Sequence, residues 1–328
     1  MTTTTTQATR SLKIEGIATA LSSISHLDGQ TGTIGLFHRE KIAQPDGTIA
    51  QVPVISGNAL RGLLRDRCAD VFWRALGQPE LPAPIFDLLW SGGSLAKAGA
   101  GHVLSARQLI RVRQLIPMVS LFGGSGAGRI IEGKLRVLKL TPICAETAHI
   151  LPPGVVTDDA TPPRCRDLLQ VEEFTRRDDA KRPELAPAIE GMTPRALPPG
   201  DTSPEGMFPA VGDDDTPDGL DRVMQMRYGV ETLAAGTRLH WGMSVRHATD
   251  PEIALLAAGI DSWLADGGHI GGRSSTGHGR LRLDVHQWET VTPTITVGEA
   301  LAVTGQDDLA AHVTAHRDEI LETLSWFT

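Results

Sequence analysis

Two glycine-rich stretches are the first candidates for chemistry in this 328-residue chain. Residues 121–129 read LFGGSGAGR and residues 267–280 read GGHIGGRSSTGHGR. Loops of this composition let backbone N–H groups approach a phosphate. Neither ends like a nucleotide-hydrolysing loop: Gly272 and Gly277 have the right separation, but His278 follows where Lys is needed. Neither lies between a strand and the helix it opens, so the dinucleotide fingerprint fails as well. What Gly271, Gly272, Arg273, Ser274 and Ser275 can do is set amides, two hydroxyls and a guanidinium against a polyanion. A tight turn between a helix and an edge strand would use the same glycines.

A second cluster, ISGNALRGLLR over residues 55–65, opens a helix. Ser56, Gly57 and Asn58 occupy its amino end, where free N–H groups and capping side chains suit an anion. Arg61 and Arg65 are four apart and are expected on one face, away from the apolar stripe. The bland alternative is a solvated helix face. Gly62 inside the helix costs about 1 kcal/mol relative to Ala, which implies close packing at that turn. Catalytic patterns are thin. The eleven histidines form no HExxH motif, and Ser94 and Lys97 match SxxK without its partner motifs. Asp213–Asp215 read as solvated acids in a Pro/Gly-rich loop. Cys68, Cys144 and Cys165 form no CxxC pair, which points away from zinc or a disulfide framework and toward a reducing cytoplasm. The expectation is a protein without catalytic residues, metal or cofactor.

The elements that must position these residues follow from periodicity. A strand is expected over 11–21 and a helix over 58–76, where apolar residues recur every three to four positions. Alternation marks strands over 132–140, 237–246 and 280–286, with Leu239, Trp241, Met243 and Val245 set against Arg238, His240, Ser244 and Arg246. Asp250-Pro251-Glu252 opens a helix that runs to Leu264. The order β, α, β, β, α, β makes an α+β, ferredoxin-like (RRM-like) arrangement with large insertions. Its body spans 11–150 and 223–328, with a helical insertion near 77–128 and a loop-like acidic, Pro/Gly-rich excursion over 151–222. Residues 1–10 read as a disordered tail rather than a signal peptide. No run reaches the roughly 20 apolar residues of a membrane span.

The formal charge of −8 argues against nucleic acid until it is located. Residues 146–221 hold 17 acids and 7 bases, whereas the rest of the chain holds 22 and 24. The acidity belongs to one segment. Aromatic residues make up only 4%, so a grip on phosphate and sugar suits the composition better than base stacking.

Five stretches in order carry a resemblance: VPVISGNALRGLLRD (52–66), LFGGSGAGRIIEGKLRV (121–137), FTRRDDAKRP (174–183), MRYGVETLAAGTRLHWGMSV (226–245) and GGHIGGRSSTGHGRLRLD (267–284). Together they resemble backbone subunits of CRISPR effector complexes, in the RAMP superfamily, seventh Cas group, most like the type IV version. The resemblance implies a ferredoxin-like palm and a thumb in place of the acidic excursion. It implies a subunit of an antiviral ribonucleoprotein that binds guide RNA, stacks with copies of itself into a helical filament alongside other effector subunits, and presents the guide to a target nucleic acid. On that basis Ser56, Gly57, Asn58, Arg61, Arg65 and 271–275 would grip the RNA backbone, and Met207 and Phe208 would form the thumb's wedge. RNA-cleaving relatives carry an Asp after a sequence like I-G-x-I. Here Ile34-Gly35-Leu36-Phe37 is followed by His38, so a non-catalytic scaffold is expected. Rival readings are an RNA-cleaving subunit using Asp28 or Asp46, and an interaction module without RNA. If the scaffold reading holds, reversing Arg61, Arg65 and Arg273 to Glu should abolish co-purification with RNA of guide length.

Overall fold

The computed structural model describes residues 9–93, 103–156, 161–177, 225–285 and 306–328. Along the chain, β1 (Arg10–Ala20) is followed by β2 (Leu27–Thr31), β3 (Ile34–Phe37), β4 (Arg39–Ala43) and β5 (Ile49–Pro53), then the long helix α1 (Gly57–Ala75). A helical stretch holds α2 (Ala83–Phe86), a π-helical turn (Asp87–Ser91), α3 (Ala106–Leu115) and α4 (Pro117–Phe122). Short strands β6 (Gly124–Gly126), β7 (Arg129–Ile131), β8 (Leu135–Val137) and β9 (Thr141–Pro142) come next. The long strands β10 (Leu169–Arg177), β11 (Gln225–Leu233) and β12 (Arg238–Ala248) precede α5 (Asp250–Ala265), β13 (Leu281–Val285) and α6 (Gln306–Ser325).

The central sheet has the order β13-β1-β12-β8, with β9 also on β12, and every pairing is antiparallel. Because side chains alternate with period two, Leu12, Ile14, Ala18 and Ala20 of β1 share one face with Leu239, Trp241, Met243 and Val245 of β12. That face buries against α1, α5 and the helical stretch. Helix α5 is buried along almost its whole length from Pro251 to Ile260, because α1, α4 and α6 enclose it. Its cap is Thr249, one residue before the expected Asp250: the Glu252 carboxylate reaches back to the Thr249 N–H at 2.8 Å. The same carboxylate, 1% exposed, binds Lys134 Nζ at 2.7 and 2.9 Å.

The second face of the sheet is covered as well. His240, on the opposite side of β12 from Trp241, is 7% exposed, and among the described residues its Nε2 has no partner. The cause is a cover over that face, where Ile143 and Val155 pack on Ile17. Arg10, assigned to a disordered tail, instead begins β1 and pairs with Asp250 at 3.3 Å. Residues 1–8 lie outside the described ones.

A second sheet, β10-β11-β3-β2, stands beside the first, with β11 parallel to β3. Its base is tied to the body by an Ile24–Leu233 bridge and by Glu231, which accepts from Phe37 N at 2.9 Å and Arg39 Nη2 at 2.7 Å. The acidic excursion is therefore not loop-like throughout: its residues 169–177 form β10, which pairs with β11 just beyond the excursion's end. Residues 178–224, with the expected wedge Met207 and Phe208, lie outside the described residues. Between β5 and β6, beyond α1, the chain forms α2, the π-helical turn, α3 and α4. No expectation covered α6, although Leu309, Val313, Ile320 and Leu324 repeat at helical spacing and bury against the body. Among the described residues no helix is long and apolar enough to cross a membrane.

The contact between α1 and α5 depends on one missing side chain. A Cβ built at Gly259 would lie 2.3 Å from Cys68 Sγ. Gly259→Ala is expected to lower stability by about 1–3 kcal/mol through overpacking. Adding Cys68→Ala opens space for that methyl group, so the double variant should lose less than the sum of the single variants, read as urea midpoints. Strict additivity would refute the contact.

Candidate nucleic-acid interface

Helix α1 and the late Gly-rich loop meet at one open cleft of about 720 Å³, which Ser56, Gly57, Asn58, Arg61 and Arg65 do not line. Helix α1 supplies Ala59, Leu63, Asp66, Arg67 and Asp70 along one wall. The segment entering β2 supplies Ser25, His26 and Leu27, and Gly271, Gly272 and Arg273 close the other side. The Gly-rich loop reaches that position because Gly272 N donates to Ser25 O at 2.8 Å. Gly271, at φ +79°, passes so close that a Cβ there would sit 2.3 Å from the same carbonyl oxygen. The glycines thus serve the turn as well as the cleft.

At the amino end of α1, Ser56 Oγ accepts from Ala59 N at 3.2 Å, a conventional cap. Ser56 N donates to His26 Nε2 at 3.2 Å, which leaves the His26 proton on Nδ1 when the ring is neutral. Burial, and next the neighbouring His38, hold His26 below the usual imidazole pKa, against a smaller opposing pull from Asp28. Gly57 is required by packing, since a Cβ there would meet Val137 O at 2.8 Å. Asn58 is exposed. Gly62 corrects an expectation: nothing lies within 4 Å of where its Cβ would be, so no packed neighbour demands it.

Arg61 and Arg65 also correct an expectation. Both turn toward α4, on the far side of α1 from the cleft. Arg65 is 7% exposed, and its guanidinium donates to Leu88 O at 3.1 Å, Phe122 O at 2.7 Å and Gly123 O at 3.0 Å. Arg61 Nη2 donates to Phe122 O at 2.6 Å, and both cations lie over the Phe122 ring. The physical reason is the helix terminus: the last carbonyls of α4 and of the π-helical turn have no helical donors, and cations satisfy them. Burial, then the nearby Arg61, lowers the Arg65 pKa to about 10, so it stays charged at neutral pH. These arginines are committed to the fold.

Arg273 is different. Among the described residues it has no carboxylate partner, and its guanidinium lies 4.4 Å from the centroid of Phe174 and 5.3 Å from that of Tyr228. Those rings, on β10 and β11, stack at 5.5 Å and 20°. Ser274 and Ser275 are exposed in the following 3₁₀ turn. The remaining cation of the cleft, Arg67, is paired with Asp266. Burial and the nearby Asp70 raise the Asp66 pKa, while Asp70 accepts from Trp90 Nε1 at 3.0 Å. Phe174, Tyr228 and His26 were not singled out in the sequence. The two rings sit in stretches noted only for their resemblance.

Of the acids considered for cleavage, Asp28 Oδ2 lies 2.8 Å from His38 Nδ1. Asp46 accepts from the Thr48 amide and hydroxyl at 2.9 and 2.6 Å, which shapes the β4–β5 turn and lowers its pKa. Among the described residues no group of three or more His, Cys, Asp or Glu is placed to hold a metal ion. No protein-family model and no curated protein matches the chain. Among solved structures, it is similar to a chain of a "Type IV-B CRISPR Complex", with 26% identity and a TM-score of 0.53 over 86% of this chain and 96% of that one.

Two outcomes follow from this geometry. Arg65→Ala strands several buried carbonyls and should cost about 3 kcal/mol or more, whereas Arg61→Ala, losing one bond, should cost about 1 kcal/mol. Equal urea midpoints for the two variants would refute the assignment. Separately, a folded-state pKa lowered from 6.5 means that the stabilising effect of His26 is complete above that pH and is lost as pH falls through the folded value. Buried His240 and His312 shift the same way. The urea midpoint should therefore drop between pH 7 and 5, and His26→Gln should flatten that drop; a profile identical to the parent's would count against the burial of His26 as its source.

Proposed function

We propose that this chain is a non-catalytic subunit of a CRISPR effector complex that binds guide RNA, of the RAMP backbone kind and closest to type IV. The observation that carries the reading is the convergence of α1 and the Gly-rich loop on one cleft, in a chain 26% identical over 86% of its length to a type IV-B CRISPR complex chain. The sheet order supports a ferredoxin-like palm, since β1 lies between β12 and β13 with β8 at the edge. β10 and β11 would be the root of the thumb.

On this reading the Gly57 and Asn58 amides, Arg273 and the Ser274 and Ser275 hydroxyls contact ribose and phosphate, which carry no sequence information. Specificity then belongs to base pairing between guide and target. Copies of the chain join head to tail along the guide, and a rotation that does not close gives a filament that other effector subunits complete. The absence of cleavage is part of the proposal: Asp46 serves its turn and Asp28 engages His38.

Co-expression with a guide should yield protein carrying guide-length RNA, and Arg273→Glu with Ser274→Ala and Ser275→Ala should release it. Since Arg61 and Arg65 hold the fold, their reversal is not a clean test. Affinity for single-stranded RNA should fall with a log–log salt slope of about −0.7 per phosphate contacted. An absorbance ratio of pure protein after co-expression would favour an interaction module, and a product ladder from matched target RNA with divalent metal would overturn the non-catalytic assignment.

A further inference from the structure

The sequence composition points away from base stacking, yet the fold assembles a stacking site beside the cleft. Phe174 and Tyr228 are direct partners in the β10–β11 register, so their side chains share one face of the hairpin. Their rings stack at 5.5 Å and 20°, and Arg273 lies over both. The backbone under Arg273 is fixed. Arg273 sits at φ +63°, its carbonyl accepts from Thr276 N and Oγ1 at 3.0 Å each, and Gly272 before it is bonded to Ser25. A long, flexible cation is thereby held in one place, and among the described residues no carboxylate neutralises it.

Arg273 also lines the cleft, together with the apolar residues Leu27 and Leu63. A cleft lined by both a planar cation and aliphatic residues suits a flat, electron-rich ring. Guanidinium planes are familiar partners for unstacked bases. The cleft volume of about 720 Å³ is ample for one nucleotide.

We infer that the cleft is a nucleobase-stacking site: a base from a single-stranded nucleic acid packs on the Arg273 guanidinium, which Phe174 and Tyr228 hold from behind as positioning residues. The inference rests on the nucleic-acid reading above and adds to it a base-dependent but sequence-tolerant component of affinity. If Arg273 were only a clasp between the Gly-rich loop and the hairpin, or only a phosphate ligand, binding would not depend on whether bases are present.

The test compares the full chain's affinity, by fluorescence anisotropy, for a short single-stranded RNA and for the same ribose–phosphate strand made abasic. Parent protein should bind the base-bearing strand about fivefold to a hundredfold more tightly, the range for one stacked base. Phe174→Leu and Tyr228→Leu should each shrink that ratio. Arg273→Lys keeps the charge but not the plane; it should remove the preference for bases while the salt slope stays as in the parent. Equal binding of both strands by the parent would refute the stacking site and leave the phosphate grip standing. Preference surviving in Arg273→Lys would refute the role of Arg273. Binding of neither strand would overturn both this inference and the nucleic-acid reading. The parent comparison needs no substitution, so a poorly folding variant does not rescue the idea.

Discussion

The cation of Arg65 beneath the open ends of two helical turns is the interaction on which the rest of the structure depends. Helix carbonyls that finish inside a protein need donors, and one guanidinium supplies several at once. It joins the middle of α1 to the π-helical turn and to the end of α4, three elements separated in sequence. With that side of α1 fixed, the turn of an α-helix decides what the other side presents. Arg61, Arg65 and Cys68 point into the body, and Ala59, Leu63, Asp66, Arg67 and Asp70 line the cleft. The cleft wall follows from the anchorage behind it.

The electrostatics of the cleft are correspondingly sparse. Arg67 is neutralised by Asp266, and Asp66 and Asp70 bring negative charge to the same wall. Among the described residues, Arg273 is left as a cleft-lining cation without a carboxylate partner. A site of this kind relies on amides, hydroxyls and one held guanidinium more than on a basic surface, consistent with a chain whose net charge outside residues 146–221 is near zero.

How much of this was legible in the sequence depends on how far apart the partners lie. The strands β1 and β12 were readable because alternation is local, and so was α1 with its Ser56 cap. Arg61 and Arg65 were misread for the converse reason: two bases four apart look solvated when the carbonyls they serve come from Leu88, Phe122 and Gly123. The burial of His240 could not be read from its strand, because the cover over its face comes from residues near Ile143 and Val155. Both parts of the candidate site announced themselves as phosphate-friendly stretches, but their convergence is tertiary. The Phe174–Tyr228 pair could not be seen at all, since it exists only once a hairpin register across more than forty intervening residues is known.

That hairpin has a wider bearing. Arg177 and Gln225 face one another across the ladder, so the chain departs from the body and returns to it at a single doorway. The entropy of closing the intervening stretch rises only slowly with its length, and the ladder already holds its ends together. Lengthening or shortening whatever spans the doorway therefore adds little to the entropy cost of closing it.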